Sequence, residues 1–198
     1  MNLYAEKVSL SFAQGLFTKT APKGSVAAPK FNCQLLLTPG YKLFEIIGGR
    51  KVQISAGDIL AKEAKAVWGE KAMQMLKTIE KSKVCLRNGD DNLTASGDIR
   101  EGYAGLQYFA LKNTKKPTVV NRDRSPITEE DNLVSSGCVV NAFFEVNIQK
   151  EPTKKSIYGT IKGVQYVSEG TGFGGGNVAS ATSFDVIEDN PYAEAAAE

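Results

Sequence analysis

From Cys138 to Ile148 every second residue is apolar. Cys138, Val140, Ala142, Phe144, Val146 and Ile148 form one set, and Val139, Asn141, Phe143, Glu145 and Asn147 form the other. Successive side chains of a strand point to opposite faces, so this spacing predicts a half-buried β-strand and commits the chain to a sheet-based fold. It also sets a puzzle. If Phe144 faces the core, Phe143 faces out, where a large aromatic ring is unexplained unless it meets a ligand or a second layer.

Other segments repeat the pattern. Val8, Leu10 and Phe12 alternate with Lys7, Ser9 and Ser11, and Phe31, Cys33, Leu35 and Leu37 alternate until Thr38-Pro39-Gly40 stops the run. Both read as strands. So does Tyr103 to Leu111; Lys115-Lys116-Pro117 interrupts it and Thr118-Val119-Val120 resumes. The stretch from Ser156 to Val167 reads as a strand pair or one bent strand, with Gly159 and Gly163 as bulges. The period changes once. Ser55 and Asp58 fit a capping box, and Leu60, Ala64, Val67, Trp68, Met75, Leu76 and Ile79 follow at helical spacing. This predicts one helix broken near Gly69, or two short ones, with Trp68 packing it onto a sheet. A chain of 198 residues, 42% apolar, is one domain with a sizeable core. Five or more strands with one helical insertion suggest a small Greek-key barrel or a sandwich.

The chain has no histidine. A Ser-His-Asp triad, a Cys-His pair and an imidazole metal ligand are therefore excluded, and the usual proton shuttle near neutral pH is missing. Cys33, Cys85 and Cys138 are odd in number, widely spaced and set in apolar runs. They read as buried free thiols in a reducing compartment rather than a disulfide frame or a zinc site. The N-terminus lacks the pattern of a signal peptide, and no apolar run is long enough to span a membrane, so a cytoplasmic location is expected.

Charge is segregated. Residues 1–162 hold all 24 bases against 16 acids, a net of +8, while residues 163–198 hold six acids and no base. A basic body with an acidic end suggests a polyanion-binding surface joined to an acidic arm. Five glycines between Gly170 and Gly176 read as a hinge, with the folded domain ending near Ser183 and a largely disordered tail after it. Gly170, Gly172 and Gly175 fit G-x-G-x-x-G, but no βαβ unit surrounds them. Asp90 to Glu101 has the length of a calcium loop with Ala95 where a glycine should turn, and it reads as a polar hairpin loop. Glu129, Glu130 and Asp131 read as a solvated acidic turn.

The basic residues carry more information. Lys112, Lys115, Lys116, Arg122 and Arg124 fall within thirteen positions beside a segment with Tyr103, Tyr108 and Phe109. Lys150, Lys154 and Lys155 precede Tyr158. Cations that follow phosphates, with aromatic faces on which bases stack, are what single-strand binding requires.

At this point the order of segments resembles the bacteriophage single-stranded DNA-binding proteins. Phe12-Ala13-Gln14-Gly15-Leu16-Phe17, Phe31-Asn32-Cys33-Gln34-Leu35-Leu36-Leu37, Gly102-Tyr103-Ala104-Gly105, Lys116-Pro117-Thr118-Val119-Val120, Ser136-Gly137-Cys138-Val139-Val140-Asn141-Ala142 and Gly159-Thr160-Ile161-Lys162-Gly163-Val164-Gln165 follow one another in that family's order. The resemblance implies an OB fold, a five-stranded Greek-key barrel, spanning residues 1–183 with a helical insertion. It also implies a disordered acidic tail over 184–198. Such proteins coat single-stranded DNA in phage replication and recombination in the host cytoplasm, are not enzymes and need no cofactor. The tail departs from the best-known relatives in ending on Glu198 rather than on an aromatic residue. The candidate DNA contacts are Lys7, Tyr103, Phe109, Lys112, Lys115, Lys116, Arg122, Arg124, Phe143, Lys154, Lys155 and Tyr158. Asp185, Glu188, Asp189, Tyr192, Glu194 and Glu198 are the candidate tail contacts to replication or recombination proteins. Two alternatives stay open: a structural β-sandwich component of a phage virion or adaptor, and a metal-dependent nuclease using Asp58, Asp90 and Glu101.

Overall fold

The computed structural model describes residues 1–21, 24, 26–149 and 155–172. The expected domain boundary near Ser183 and the tail lie outside them, as do Lys150 and Lys154. Nine strands form one sheet: β1 (Asn2–Ser11), β2 (Phe31–Leu36), β3 (Lys42–Ile47), β4 (Arg50–Gln53), β5 (Leu86–Asn88), β6 (Gln107–Asn113), β7 (Thr118–Val120), β8 (Val139–Ile148) and β9 (Ile157–Ser168). Five of them close on themselves. β2 pairs with β6, β6 with β9, β9 with β8, β8 with β1 and β1 again with β2. All these pairs are antiparallel except β6–β9, which is parallel at Leu111 and Gly159. This is the Greek-key barrel of an OB fold, so the choice between barrel and sandwich falls to the barrel.

Alternation sorts the side chains. Along β8, Val140, Ala142, Phe144, Val146 and Ile148 are buried, while Phe143 is 49% exposed. Phe144 packs on Phe109 of β6 across the barrel, ring centroids 5.0 Å apart. Leu3, Leu10, Leu35, Leu111 and Ile161 complete the centre of the core. All three cysteines are buried and free. Desolvation raises their thiol pKa values, to about 12 for Cys85 and about 11 for Cys138, so they stay protonated and pack as small hydrophobes.

The helical insertion sits between β2 and β6. α1 (Ala56–Trp68) starts at Ser55, whose hydroxyl oxygen accepts the Asp58 N–H at 3.1 Å. It breaks at Gly69 (φ 58°), and α2 (Ala72–Thr78) follows after one 3₁₀ turn. Ile59 and Ala64 are buried in the core, and Trp68 packs against it. Near the barrel end of β8, the Met1 ammonium donates to Val146 O at 2.8 Å and meets Glu63 of α1 at 3.3 Å. Among the described residues no helix is long and apolar enough to cross a membrane.

Three features differ from the sequence reading. The hairpin β3–β4 has no clean alternation; it turns on Gly48 and Gly49, both at positive φ, as a two-residue hairpin turn of the primed type needs. The final segment is one long strand with a register shift opposite Phe143/Phe144, next to Gly163, so of the two readings it is the single strand and not the strand pair. Gly159 is no bulge. A Cβ there would lie 2.3 Å from the buried Leu111 side chain, so glycine allows the parallel strands to meet.

Gly159→Ala is therefore expected to lower stability by about 1–3 kcal/mol through overpacking. Gly57→Ala, in α1 with its nearest heavy atom 4.0 Å away, should raise it by roughly 0.5–1 kcal/mol. Urea unfolding of both variants checks the two signs.

Candidate nucleic-acid interface

Barrel closure dictates what faces out. Leu111 and Gly159 point inward, so Ala110 and Lys112 of β6 and Tyr158 and Thr160 of β9 point outward and line one groove. Lys30, Lys83 and Arg87 also line it, in a space of about 430 Å³. Arg87 is fixed there: its Nε donates to Val84 O at 2.9 Å and its Nη2 to Ser82 O at 2.7 Å. Tyr158 is 45% exposed. Lys155, exposed, precedes Ser156 of the same groove.

A second groove, of about 240 Å³, lies on the outer face of β1, β8, β9 and β7. Its apolar lining is Tyr4, Phe143, Val120 and Gly163, and Arg124, Asn141 and Gln165 stand around it. Tyr4 and Phe143 are cross-strand partners with ring centroids 4.5 Å apart. The Lys51 ammonium sits 3.7 Å from the centre of the Tyr4 ring and pairs with Glu6 at 2.7 Å. Desolvation raises the Tyr4 phenol pKa against the pull of Lys51, so the ring stays neutral. A polar chain holds the rim. Lys7 N–H donates to Asn141 Oδ1, Asn141 Nδ2 donates to Gln165 Oε1, and Gln165 Nε2 donates to Arg122 O. Lys7 and Arg124 both take positive φ, and Arg122 lies 5.8 Å from the ring centre of Tyr166.

The two grooves are joined by chain. Thr114 lines the first, Thr118 lines the second, and Lys115 and Lys116 lie between them, both exposed. Among the described residues, Lys7, Lys112, Lys115, Lys116, Arg122 and Arg124 form no ion pair. Six cations thus follow an arc that also carries the exposed rings of Tyr158 and Phe143, with the buried Tyr4 packed against Phe143. Such an arc can meet a chain of phosphates while offering rings to flat apolar groups.

Two of the residues proposed as contacts are corrected. Phe109 is fully buried against Phe144. Tyr103 precedes β6 and is also fully buried: the segment from Gly89 to Leu106 folds over the outer face of β2 and β6, and Tyr103 packs there with Leu36 and Tyr108. Its hydroxyl donates to Gln34 Oε1 at 2.6 Å, and burial pushes its pKa up to about 12. Neither ring has a face to offer a ligand. Lys154 and the tail residues lie outside the described residues. Tyr4 and Lys51 are additions to the site as supports: Tyr4 is buried between Lys51 and the exposed Phe143 ring. Carrying the β1 alternation back to Leu3 and Ala5 would have shown Tyr4 facing out beside Phe143.

The acidic residues are held elsewhere. Asp58 Oδ2 accepts the Ser55 hydroxyl at 2.6 Å, Asp90 Oδ1 accepts the Gly105 N–H at 2.7 Å, and Asp131 accepts Thr128 N–H and hydroxyl, which lowers its pKa. Among the described residues, no three Asp, Glu or Cys lie close enough to share a cation.

Comparison with known proteins agrees with this architecture. The chain is 34% identical over 121 residues to protein p50 of Acyrthosiphon pisum secondary endosymbiont phage 1, a match covering 60% of this chain and 62% of that protein. The chain thus spans about three fifths of that relative's length. The solved single-stranded DNA-binding protein from bacteriophage Enc34 in complex with ssDNA superposes with a TM-score of 0.56 at 14% identity, covering 87% of this chain and 89% of that one. Another structure of that protein gives 0.54 at 15% identity, covering 93% and 90%. At such identities the likeness fixes the fold alone. The family is shown by sequence: the model described as the Enterobacter phage Enc34 ssDNA-binding protein matches residues 1–195, and the chain belongs to that family.

Proposed function

We propose that this protein binds single-stranded DNA without sequence preference and coats it during phage DNA replication and recombination. The observation that carries the reading is the arc of six cations, unpaired among the described residues, running past the exposed rings of Tyr158 and Phe143 on the outside of the barrel. Family membership supports the same ligand class. Phosphates supply affinity at the cations, and any base can stack on an aromatic face, so the chemistry tolerates every sequence. A duplex keeps its base faces inside the stack and offers the rings nothing. The family's described role is binding, and no catalytic step enters this reading.

The acidic end has a place in this scheme. Residues 184–198 carry five acids and no base. They compete with DNA for the basic arc when the protein is free. DNA displaces them, and the tail then becomes available to a basic replication or recombination partner.

Fluorescence anisotropy with labelled oligo-dT and a matched duplex, each at low and high salt, tests the central claim. Tight, salt-sensitive binding to the single strand with much weaker duplex binding is expected; a folded protein that binds neither overturns it. Phe143→Ala should weaken oligo-dT binding by about 1–3 kcal/mol with little change in salt dependence. Lys116→Ala should instead reduce the slope of log K against log salt by about 0.7, one single-strand phosphate's share. Deleting residues 184–198 should tighten binding and flatten its salt dependence at low ionic strength. Unchanged or weaker affinity in the truncated protein would sink the tail's role.

A further inference from the structure

Phe12 breaks the alternation of its own strand. With Val8 and Leu10 buried, the period places Phe12 inward, yet it is 40% exposed. The cause is a left-handed backbone, φ 57° and ψ 44°, at the end of β1. A bulky residue rarely adopts that conformation, and it is retained where surrounding structure or function demands it. The turn swings the ring into a third groove, of about 470 Å³, whose walls include Thr20, Ala28, Lys30, Asn32 and Lys112.

Arg100 supports the ring from outside that groove. Its guanidinium carbon lies 5.3 Å from the ring centre, and Arg100 is not among the groove's walls. Arg100 Nε is buried without a hydrogen-bond partner, the one such side-chain nitrogen or oxygen among the described residues. The guanidinium lies over the ring, the arrangement of a cation–π contact. The left-handed backbone and the cation over the ring place one exposed aromatic ring at the edge of a cationic groove.

We propose that Phe12 is a further base-stacking platform, with Arg100 behind the ring and Lys30 and Lys112 taking the flanking phosphates of single-stranded DNA. This rests on the single-stranded DNA reading above. Lys112 also lines the groove that holds Tyr158, so Phe12, Lys112 and Tyr158 continue the same path around the barrel. Closely spaced rings and cations match a polymer that repeats a flat base and a phosphate. The chain's own acidic tail matches them less well, since its aromatics Phe184 and Tyr192 stand eight residues apart.

The experiment compares wild type, Phe12→Asn and Phe12→Trp, each in the full chain and with residues 184–198 deleted. Asparagine accepts the left-handed backbone, so the fold should be kept, and thermal melting verifies it. Labelled oligo-dT and an abasic oligonucleotide of equal length are the probes. Phe12→Asn should bind oligo-dT about 5- to 100-fold more weakly at an unchanged salt slope, in both tail contexts, and the abasic strand as wild type does. Phe12→Trp should retain affinity, and its added indole fluorescence should be quenched by oligo-dT. Equal losses on both probes, or no loss on oligo-dT, overturn the proposal. So does a gain in affinity confined to the full chain, which would make the tail the occupant. A wild-type chain that ignores oligo-dT overturns the single-stranded DNA reading and this proposal with it.

Discussion

The arrangement depends on one contact, the parallel meeting of β6 and β9 at Leu111 and Gly159. Without it the sheet is open and has two bare edges to satisfy. With it, five strands close and inside is separated from outside. Closure leaves no room for a side chain on Gly159, and the Leu111 side chain fills the space where one would be. The same register decides the surface. One step along each strand from the inward pair are Lys112 and Tyr158, so the geometry that seals the core also sets a cation beside an aromatic ring in the groove outside.

The strands that build the barrel were readable where burial is one-sided. β8 alternates cleanly because one face meets the core and the other meets solvent along its whole length. β2 alternates from Phe31 to Leu35, then buries Leu36 on its other face under the segment that carries Tyr103, and the helix announces itself through the Ser55–Asp58 cap. β3 and β4 were silent. β4 is exposed throughout, and β3 buries only Leu43, so no hydrophobic period is imposed on either.

Site residues were readable only where the period holds. Phe143 could be placed outside because Phe144 had to be inside. Tyr103 could not be placed, since a strand-like composition does not reveal that the chain returns over β2 and β6 and covers the ring. Phe12 was misplaced by the opposite error. Its apolar character fits the buried set, and nothing in residue spacing signals a left-handed backbone at a phenylalanine. In both cases the deciding fact is a tertiary contact or a local φ that alternation does not encode.

Among the described residues, cations along the arc are left unpaired by a surface that pairs them elsewhere. Lys51 meets Glu6, Lys81 meets Asp91, Lys83 meets Glu80 and Lys162 meets Glu145. The contrast is sharpest at Asp123, which stands between Arg122 and Arg124 in the chain and could pair with either. Its carboxylate instead accepts the Ser125 N–H at 2.9 Å and the Ser125 hydroxyl at 2.6 Å, bonds that hold its pKa below the usual carboxylate range. The acid is engaged by its own loop, and neither guanidinium gains a direct partner among the described residues. Like charges left on one surface without counter-charges repel one another, and that repulsion raises the free energy of the unliganded protein to the extent that salt leaves it unscreened. A polyanion laid along the arc removes that repulsion at every cation it touches. The electrostatic gain on binding therefore includes relief of a cost built into the free surface as well as new attraction.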